Sequence, residues 1–353
     1  MKKFYNHISL FQFLEILEKN KIDYTVWKNL HLLDKSLNGL FNIDLFVPNK
    51  QKEGFLDLAK LNFCIKAIHP VNNHQNIYHL YLLGKDKKVF HIHTYFEIKT
   101  GETLLKEFHL PIEDLILENR IKDKDFKVWT VNQKINAYIF CLRHILKGGS
   151  AFSRFIYKKE LNSFREEWEL INYRNMAMIQ KLPFIDKKSL ENSNLFKGDF
   201  DLPNLFIAIK FRRSLKKFCR YNELEIIFKR YILIIKLIYN RYINKKNKVL
   251  PRNGTIIAFC GVDGSGKSTL NNQLSLFFKK FFTVENYHIG KPQAELITNI
   301  FLKLRSKKNN LSTEYSKKEI SLFNSLLAVY LGILRRLMAK RIQRKANNGF
   351  LLF

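Results

Sequence analysis

The sequence predicts a mixed α/β protein in three parts: an α+β domain at residues 1–134, a helical region and linker at 135–250, and an α/β domain at 251–353. Three observations predict this division. Short apolar runs separated by turns fill the first part, and longer patterns of helical period fill the second. The third part opens with a β-rich run that leads into a glycine-rich loop. A chain of 353 residues with 46% hydrophobic content is long enough to bury more than one core.

The first elements follow from residue spacing. Leu10, Leu14 and Leu17 recur at helical intervals and predict a helix over residues 8–20. The runs "YTVW" and "LFNIDLFV", the second ended by Pro48, predict strands. The domain therefore begins with a helix followed by strands.

The stretch "NIYHLYLLGKDKKVFHIHTYFEI" predicts two strands joined by a turn from Gly84 to Lys87. Because side chains alternate between the two faces of a strand, His91, His93, Tyr95 and Glu97 are expected on one face. That face is polar. A metal held by the two histidines is one interpretation, and the pattern favours polar residues that line a cleft.

The middle region contains two predicted helices. The first, "INAYIFCLRHILKGG", is closed by glycines, and the second, "LEIIFKRYILIIKLIYNRYINKK", carries basic residues inside an apolar pattern. Lys229, Arg230, Lys236 and Arg241 interrupt the second pattern too often for a membrane span, which needs roughly 20 apolar residues. Peripheral contact with anionic lipid is an alternative, and packing between domains is favoured. The stretch "NKKNKVLPRNG", residues 244–254, is the predicted linker.

Charge and cysteine content limit the classes of partner and compartment. The 61 Lys and Arg against 31 Asp and Glu give a formal charge of +30, which suits nucleic acid, anionic membrane or phosphorylated substrates. Lys, Asn, Ile and Phe are abundant throughout the chain, so a general compositional bias is favoured over a dedicated nucleic-acid surface.

The cysteines and the N-terminus indicate a reducing compartment. The four cysteines form no CxxC pair and are expected as buried, reduced thiols: Cys64, Cys141, Cys219 and Cys260. Polar residues interrupt any apolar segment in "MKKFYNHISLFQFLEIL", which predicts a helix rather than a signal peptide. We therefore expect a cytoplasmic protein.

The stretch "GVDGSGKST", residues 261–269, carries the clearest chemical signal. It matches GxxxxGK[ST] and follows "TIIAFC", a run suited to a buried parallel strand. Glycines let backbone N–H groups converge on phosphate oxygens, the lysine reaches the β- and γ-phosphates, and the hydroxyl can ligate Mg²⁺. The predicted ATP-binding residues are Gly261, Val262, Asp263, Gly264, Ser265, Gly266, Lys267, Ser268 and Thr269, with Lys267 also predicted as catalytic and Ser268 as the magnesium ligand.

A helix is predicted directly after this phosphate loop. Apolar residues repeat there at intervals of three and four, which is the pattern of one buried helix face. These residues are Leu270, Leu274, Phe277, Phe278 and Phe281.

The loop resembles that of thymidylate kinases and their relatives, whose pattern is GxDGxGKST. The resemblance implies a P-loop NTPase fold, a doubly wound parallel sheet, at residues 251–353. It also implies that ATP and Mg²⁺ are bound there and that Asp263 faces an acceptor, a nucleotide or another phosphorylated small molecule. Asp263 is for that reason the second predicted catalytic residue.

Two departures from the thymidylate kinase pattern bear on the identity of the substrate and on the completeness of the kinase-like domain. "TVENYHIGKPQAE" stands in place of an Arg-Glu-Pro-Gly signature, so Lys291 would have to contact the acceptor phosphate. "RRLMAKRIQRKANNGFLLF" resembles the helix and strand that lead to an Asp-Arg pair, which is absent before Phe353. We expect strands starting near 255, 284 and 349, with the last an uncovered edge, in a truncated domain or one completed by a second polypeptide.

Residues 20–145 resemble a nucleotidyltransferase domain, on the basis of "VWKNLHLLDKSLNGLFNIDLFVP". Such domains place two metal-binding carboxylates one residue apart on a strand and a third on a later strand. Here Asn42 and Asp44 hold the first two positions, and the later strand offers His91 and His93, with Glu97 farther along. Lys28-Asn29 stands near the missing glycine-serine signature.

Three functions follow from these patterns. An ATP-dependent phosphotransferase is the leading hypothesis. A non-catalytic protein, in which the loop is a remnant, is the second. Nucleotidyl transfer with Asp44 as a magnesium ligand is the third.

Overall fold

The computed structural model divides the chain into two compact units, Met1–Lys245 and Lys246–Phe353. It describes residues 8–84, 88–148, 165–168, 171, 183–184, 205–251, 254–288 and 317–353. Both units combine helices with strands, so the predicted mixed α/β class is confirmed.

The first unit is built on a seven-stranded mixed sheet. Its strands are β1 (Thr25–Val26), β2 (Ile43–Phe46), β3 (Cys64–Ala67), β4 (Ile77–Leu83), β5 (Val89–Tyr95), β8 (Arg120–Lys122) and β9 (Trp129–Val131), and a separate two-stranded sheet pairs β6 (Lys99–Thr100) with β7 (Phe108–His109). Its helices are α1 (Leu10–Lys19), α2 (Leu33–Leu37), α3 (Lys52–Leu61), α4 (Glu113–Glu118), α5 (Gln133–Gly148), α6 (Leu205–Ser214) and α7 (Glu223–Tyr239).

The strand order of the large sheet is β3-β4-β5-β2-β1-β9-β8. β4 and β5 pair antiparallel as predicted, and β5 pairs in parallel with β2. Residues 85–87 of the predicted turn lie outside the described residues. The register of that parallel pair sets Asp44 of β2 beside His93 of β5, and His93 lies opposite His79 of β4. One polar row therefore crosses three neighbouring strands.

Two apolar clusters fill the two faces of this sheet. One contains residues of α1 and α3 together with Leu45 and Ile92, and the other contains residues of α5 and α6 together with Phe46 and Tyr95. Because successive strand residues face opposite sides, Asp44, His93 and Tyr95 lie on the face opposite α1 and α3. The prediction that His91, His93 and Tyr95 share one face is confirmed: the rings of His91 and His93 stack, and the Tyr95 ring lies 4.6 Å from that of His93 in a tilted arrangement. Glu97, predicted on the same face, lies beyond the end of β5.

Helices α1, α5 and α7 confirm the helices predicted from residue spacing. Ser9 begins α1 through a capping box with Gln12, and Asn222 begins α7 through a capping box with Glu225. In each box the side chain of the first residue accepts a backbone N–H that the helix cannot satisfy itself. Both helices are therefore closed at their N-termini by local sequence.

The second unit contains β10 (Thr255–Ile256), α8 (Lys267–Lys279), β11 (Val284–Glu285), α9 (Lys317–Asn347) and β12 (Leu351–Leu352). The three strands predicted near 255, 284 and 349 are present and pair in parallel. Their order is β10-β12-β11, so the last strand is central and the expectation that it forms an uncovered edge is wrong.

Backbone hydrogen bonds on both sides place β12 in the centre. On one side the N–H of Thr255 donates to the carbonyl of Phe350 at 3.2 Å. On the other side the N–H of Leu351 donates to Thr283 at 3.1 Å, and that of Phe353 to Glu285 at 3.1 Å. Gly349, at a left-handed φ of 81°, ends α9 and turns the chain into β12.

Three burial predictions need correction. The helix predicted after the phosphate loop is α8, but its buried residue is Ser275, and Leu270, expected on the buried face, is 46% exposed. β10 is parallel as predicted but exposed rather than buried, because it lies at an edge of the sheet and the described residues place no layer over it. The four cysteines are free, yet only Cys141 is buried, while Cys64 and Cys219 are half-buried and Cys260 is exposed. Burial raises the pKa of the Cys64 thiol to about 12.

Within the described ranges, no helix has both the length and the apolar character that crossing a bilayer requires.

The central position of β12 gives a stability prediction. Leu352 is 1% exposed and Ile256, on the edge strand, is 53% exposed. We expect Leu352→Ala to destabilise the second unit by about 2–5 kcal/mol, because it removes a buried side chain and leaves a cavity. Ile256→Ala, the matched control, should cost less than about 1 kcal/mol. Native-state hydrogen exchange of residues 350–353 measures the loss of unfolding free energy in each variant. Equal losses in the two variants would contradict the strand order.

Candidate functional site

The phosphate loop joins β10 to α8 in the second unit. Gly264 and Gly266 have φ angles of 83° and 78°, a left-handed conformation that L-residues with a side chain adopt only under strain. The N–H of Ser265 donates to the carbonyl of Val262 at 3.3 Å and closes the turn between them. Glycine is required at 264 and 266 by the backbone itself, as well as by the motif.

The N-terminus of α8 supplies hydrogen-bond donors next to the loop. Gly266 is the N-cap and has no side chain with which to cap the helix. The first backbone bond of the helix runs from Leu270 N–H to the Gly266 carbonyl at 3.0 Å, so the amides of Lys267, Ser268 and Thr269 precede the intrahelical ladder. Together with the helix dipole, these N–H groups favour an anion at this position.

The side chain of Lys267 folds back over the loop. Its ammonium donates to the carbonyl of Gly261 at 2.8 Å, to the carbonyl of Val262, and to the hydroxyl of Ser265 at 3.5 Å. A long side chain anchored at the helix start thus holds its charge beside the loop backbone. The ammonium can exchange these carbonyls for phosphate oxygens, which form stronger, charge-assisted hydrogen bonds.

The nine predicted phosphate-loop residues lie together in one exposed segment. Asp263, Ser268 and Thr269 are exposed, and Lys267 is half-buried. The exposure keeps the hydroxyl of Ser268 and the carboxylate of Asp263 accessible to a ligand. Lys291, the residue expected to contact an acceptor phosphate, lies outside the described residues.

A second polar cluster surrounds Asp44 in the first unit. The Asp44 carboxylate is buried and is surrounded by four donors. Its Oδ1 lies 3.1 Å from the ammonium of Lys28 and 3.0 Å from Nδ1 of His93. Its Oδ2 accepts the amides of Asn29 at 2.7 Å and Asn42 at 3.1 Å. Both oxygens are therefore engaged by protein groups.

The charges in this cluster favour an ionised aspartate beside a neutral histidine. Burial disfavours the charge on Asp44, but the Lys28 ammonium and the His93 hydrogen bond outweigh it and hold the pKa of the carboxyl well below its ordinary value. Burial lowers the pKa of His93 to about 3, with help from Lys106 and Lys28 and against the pull of Asp44. A neutral His93 then donates its Nδ1–H to the carboxylate.

Two further groups hold this cluster in position. Tyr95 accepts hydrogen bonds from Lys28 at 2.9 Å and from Lys106 at 2.8 Å. Arg143 of α5 donates to the side-chain oxygen of Asn29 at 3.2 Å. The amide of Asn29 thereby links the aspartate of the sheet to the arginine of the helix.

The histidines next to Asp44 contact one another. Nδ1 of His79 lies 3.0 Å from Nε2 of His91, and the rings of His79 and His93 stack at 4.4 Å between centroids. In the part of the chain that the structure describes, no group of three or more His, Cys, Asp or Glu residues is arranged to hold a metal ion. A metal at Asp44 would have to displace the Lys28 ammonium, and nucleotidyl transfer through Asp44 stays a prediction.

The contacts of Lys28 and Asn29 with Asp44 could not be read from the sequence. Their position in "VWKNL" marks a departure from the nucleotidyltransferase pattern, but the pattern does not say what replaces it. Asn29 adopts a left-handed φ of 58°, and the resulting turn brings its amide and the neighbouring ammonium to the strand. The only sequence signal for this turn is an asparagine, one of the residues that tolerates that conformation.

No protein-family model matches the chain, and neither a curated protein nor a solved structure matches it. The resemblance to thymidylate kinases therefore rests on residues 261–269 and the elements around them. The resemblance to nucleotidyltransferases rests on residues 26–48 and on the order of strands that follows.

The buried histidines predict a pH dependence. Burial, with nearby Lys106, Arg220 and Lys99, lowers the pKa of His74 to about 3, as burial does for His93. Between pH about 6.5 and 3 the unfolded chain binds protons that the folded chain does not, so stability falls as the pH falls. We expect a loss on the order of 1–2 kcal/mol per histidine between pH 7 and pH 5 in urea unfolding.

A double variant isolates this contribution. His74→Gln with His93→Gln removes both titrating groups and should flatten the dependence of unfolding free energy on pH over that window. The informative quantity is the slope of unfolding free energy against pH. The absolute free energy is not informative, because losing the hydrogen bond from His93 to Asp44 lowers stability at every pH. A double variant with the slope of the parent chain would contradict the assignment.

Proposed function

We propose that residues 261–269 bind the phosphates of ATP and that the protein is an ATP- and magnesium-dependent phosphotransferase similar to thymidylate kinases. The observation that carries the proposal is the conformation of the loop: two left-handed glycines precede an uncapped helix N-terminus. A loop of this kind directs backbone N–H groups toward one point, where a phosphate can accept several of them. The Lys267 ammonium lies at the same loop and adds a full positive charge.

The side chains of this segment suit the remaining parts of the chemistry. The hydroxyl of Ser268, exposed in the first turn of α8, would be a ligand of a magnesium ion bound with the nucleotide. Magnesium neutralises charge that develops on the phosphates during transfer. Asp263 is exposed in the loop, where a carboxylate can orient an acceptor group beside the γ-phosphate.

The acceptor class follows from the resemblance at Asp263. A nucleotide or another phosphorylated small molecule is proposed. The reason is that thymidylate kinases and their relatives, which the loop resembles, carry an aspartate inside this loop and transfer phosphate to nucleoside monophosphates. The departure at residues 283–295 leaves the identity of the base and sugar open.

Binding is tested with one variant and one matched control. We expect Lys267→Ala to weaken binding of Mg-ATP at least tenfold in isothermal titration, because a charge-assisted bond to phosphate is worth about 1.5–3 kcal/mol. Lys279→Ala removes the same charge from the exposed far end of the same helix and should leave affinity unchanged. Equal affinity of Lys267→Ala and the parent chain would refute phosphate binding at this loop.

Phosphate transfer is measured separately with the same two variants, Lys267→Ala and Lys279→Ala. With nucleoside monophosphates as acceptors, the parent chain and Lys279→Ala should release ADP and Lys267→Ala should not. ATP binding without turnover on any monophosphate would leave the loop as a nucleotide-binding site and reject the phosphotransferase.

A further inference from the structure

Helix α7 of the first unit presents one continuous apolar face to solvent. The residues recur at intervals of three and four along the helix and into the turn that follows it, so they lie on one side. They include Leu224, Ile227, Tyr231, Ile235, Ile238 and Tyr242, all exposed. Single exposed apolar residues are common, but a contiguous patch along a whole helix marks an interaction surface.

A buried ion pair fixes the rotation of this helix. Arg230 donates to both oxygens of Glu102, at 3.0 and 2.7 Å, and Glu102 is almost fully buried. At 100° per residue, Arg230 lies about 100° around the helix from Tyr231 and about 140° from Ile235, so it is on a different side. The apolar face is therefore turned outward by a contact of the helix with its own unit.

Beyond the first turn of α7, which carries Glu223 and Glu225, the local charge is positive. From residue 226 to residue 262 the sequence contains eight Lys or Arg and no Asp or Glu. Lys229 and Lys236, seven residues apart, lie on the same side of the helix, about 100–160° around from Tyr231 and Ile235, and so flank the apolar face. A partner that covers this face meets apolar residues in the middle and cations along one border.

A cavity of about 500 Å³ opens at that border. Lys229 and Lys236 line it together with Leu104 and Leu105. Phe228 also lines it and is 68% exposed, so the cavity is continuous with the apolar face. The volume is within the range of roughly 300–1,000 Å³ that small-ligand sites occupy.

The cavity wall has the chemistry of an anion site. His74 lines it, and Nε2 of His74 is buried without a hydrogen-bond partner among the described residues. A buried polar atom of this kind is satisfied by a ligand or by water. Glu225 also lines the cavity, but its carboxylate accepts the N–H of Asn222 in the capping box of α7.

We propose that α7 binds the surface of an anionic lipid bilayer. The helix lies in the plane of the interface with its apolar face toward the acyl chains, and the cavity takes the phosphate of one lipid headgroup between His74, Lys229 and Lys236. Tyrosines such as Tyr231 and Tyr242 suit the boundary between headgroups and acyl chains, because the ring is apolar and the hydroxyl remains in contact with water.

An anionic surface fits this face better than a second copy of the chain. A symmetric dimer across the apolar face would bring the same patch from both copies together, with Lys229 and Lys236 of each copy on its flank. Two cationic borders then repel each other, whereas anionic headgroups attract both.

The test uses the full chain and sedimentation of lipid vesicles. We expect binding to vesicles of phosphatidylcholine with 30% phosphatidylglycerol and at least tenfold weaker binding to phosphatidylcholine alone. Tyr231→Glu with Ile235→Glu should reduce binding to the anionic vesicles at least tenfold. Lys229→Glu with Lys236→Glu should abolish the preference for anionic over neutral vesicles.

A control variant and three results decide the outcome. Leu40→Glu places the same acidic group at a site that is 79% exposed in the same unit and should bind like the parent chain. Absence of binding to both vesicle types, or equal binding to both, would overturn the proposal. A dimer in analytical ultracentrifugation that Tyr231→Glu with Ile235→Glu dissociates would assign the face to a second copy. A fall in the thermal unfolding midpoint of that variant, absent in Leu40→Glu, would assign it to packing within the chain.

Discussion

The second unit depends on the hydrogen bonds that β12 makes along both of its edges. β10 and β11 each pair with β12 and not with each other, so the sheet exists only when residues 351–352 lie between them. β10 leads directly into the phosphate loop, and α8 follows the loop. The direction in which the loop leaves the sheet is thus set by backbone pairing with the strand farthest along the chain.

The two polar sites satisfy their charged groups in opposite ways. Asp44 is buried, and Lys28, His93 and two asparagine amides occupy both of its oxygens. The Lys28 ammonium there supplies the positive charge beside the carboxylate. At the phosphate loop the donors are exposed, and the helix N-terminus has no side-chain cap. Exposed donors favour a ligand, while a carboxylate with four protein donors favours a fixed structural network.

The sequence predicted local features well and long-range ones poorly. α1, α5, α7 and the β4–β5 hairpin follow from periodicity, which is a property of neighbouring residues. The phosphate loop follows from its motif, because the left-handed glycines and the lysine lie within six residues of one another. The central place of β12 depends on pairing among segments near 255, 284 and 351, which no local pattern contains. The exposure of β10 was missed for a related reason: apolar composition does not tell whether another layer covers a strand.

The central claim is that residues 261–269 hold the phosphates of ATP. Hydrogen–deuterium exchange of the full chain, with and without saturating Mg-ATP, tests it most directly because it locates the bound nucleotide along the sequence. We predict that the amides of residues 264–269 exchange more slowly with Mg-ATP bound, because their N–H groups would donate hydrogen bonds to the phosphate oxygens. The amides around Asp44 in β2 should exchange at unchanged rates. Protection at residues 26–48, with none at 264–269, would contradict the account.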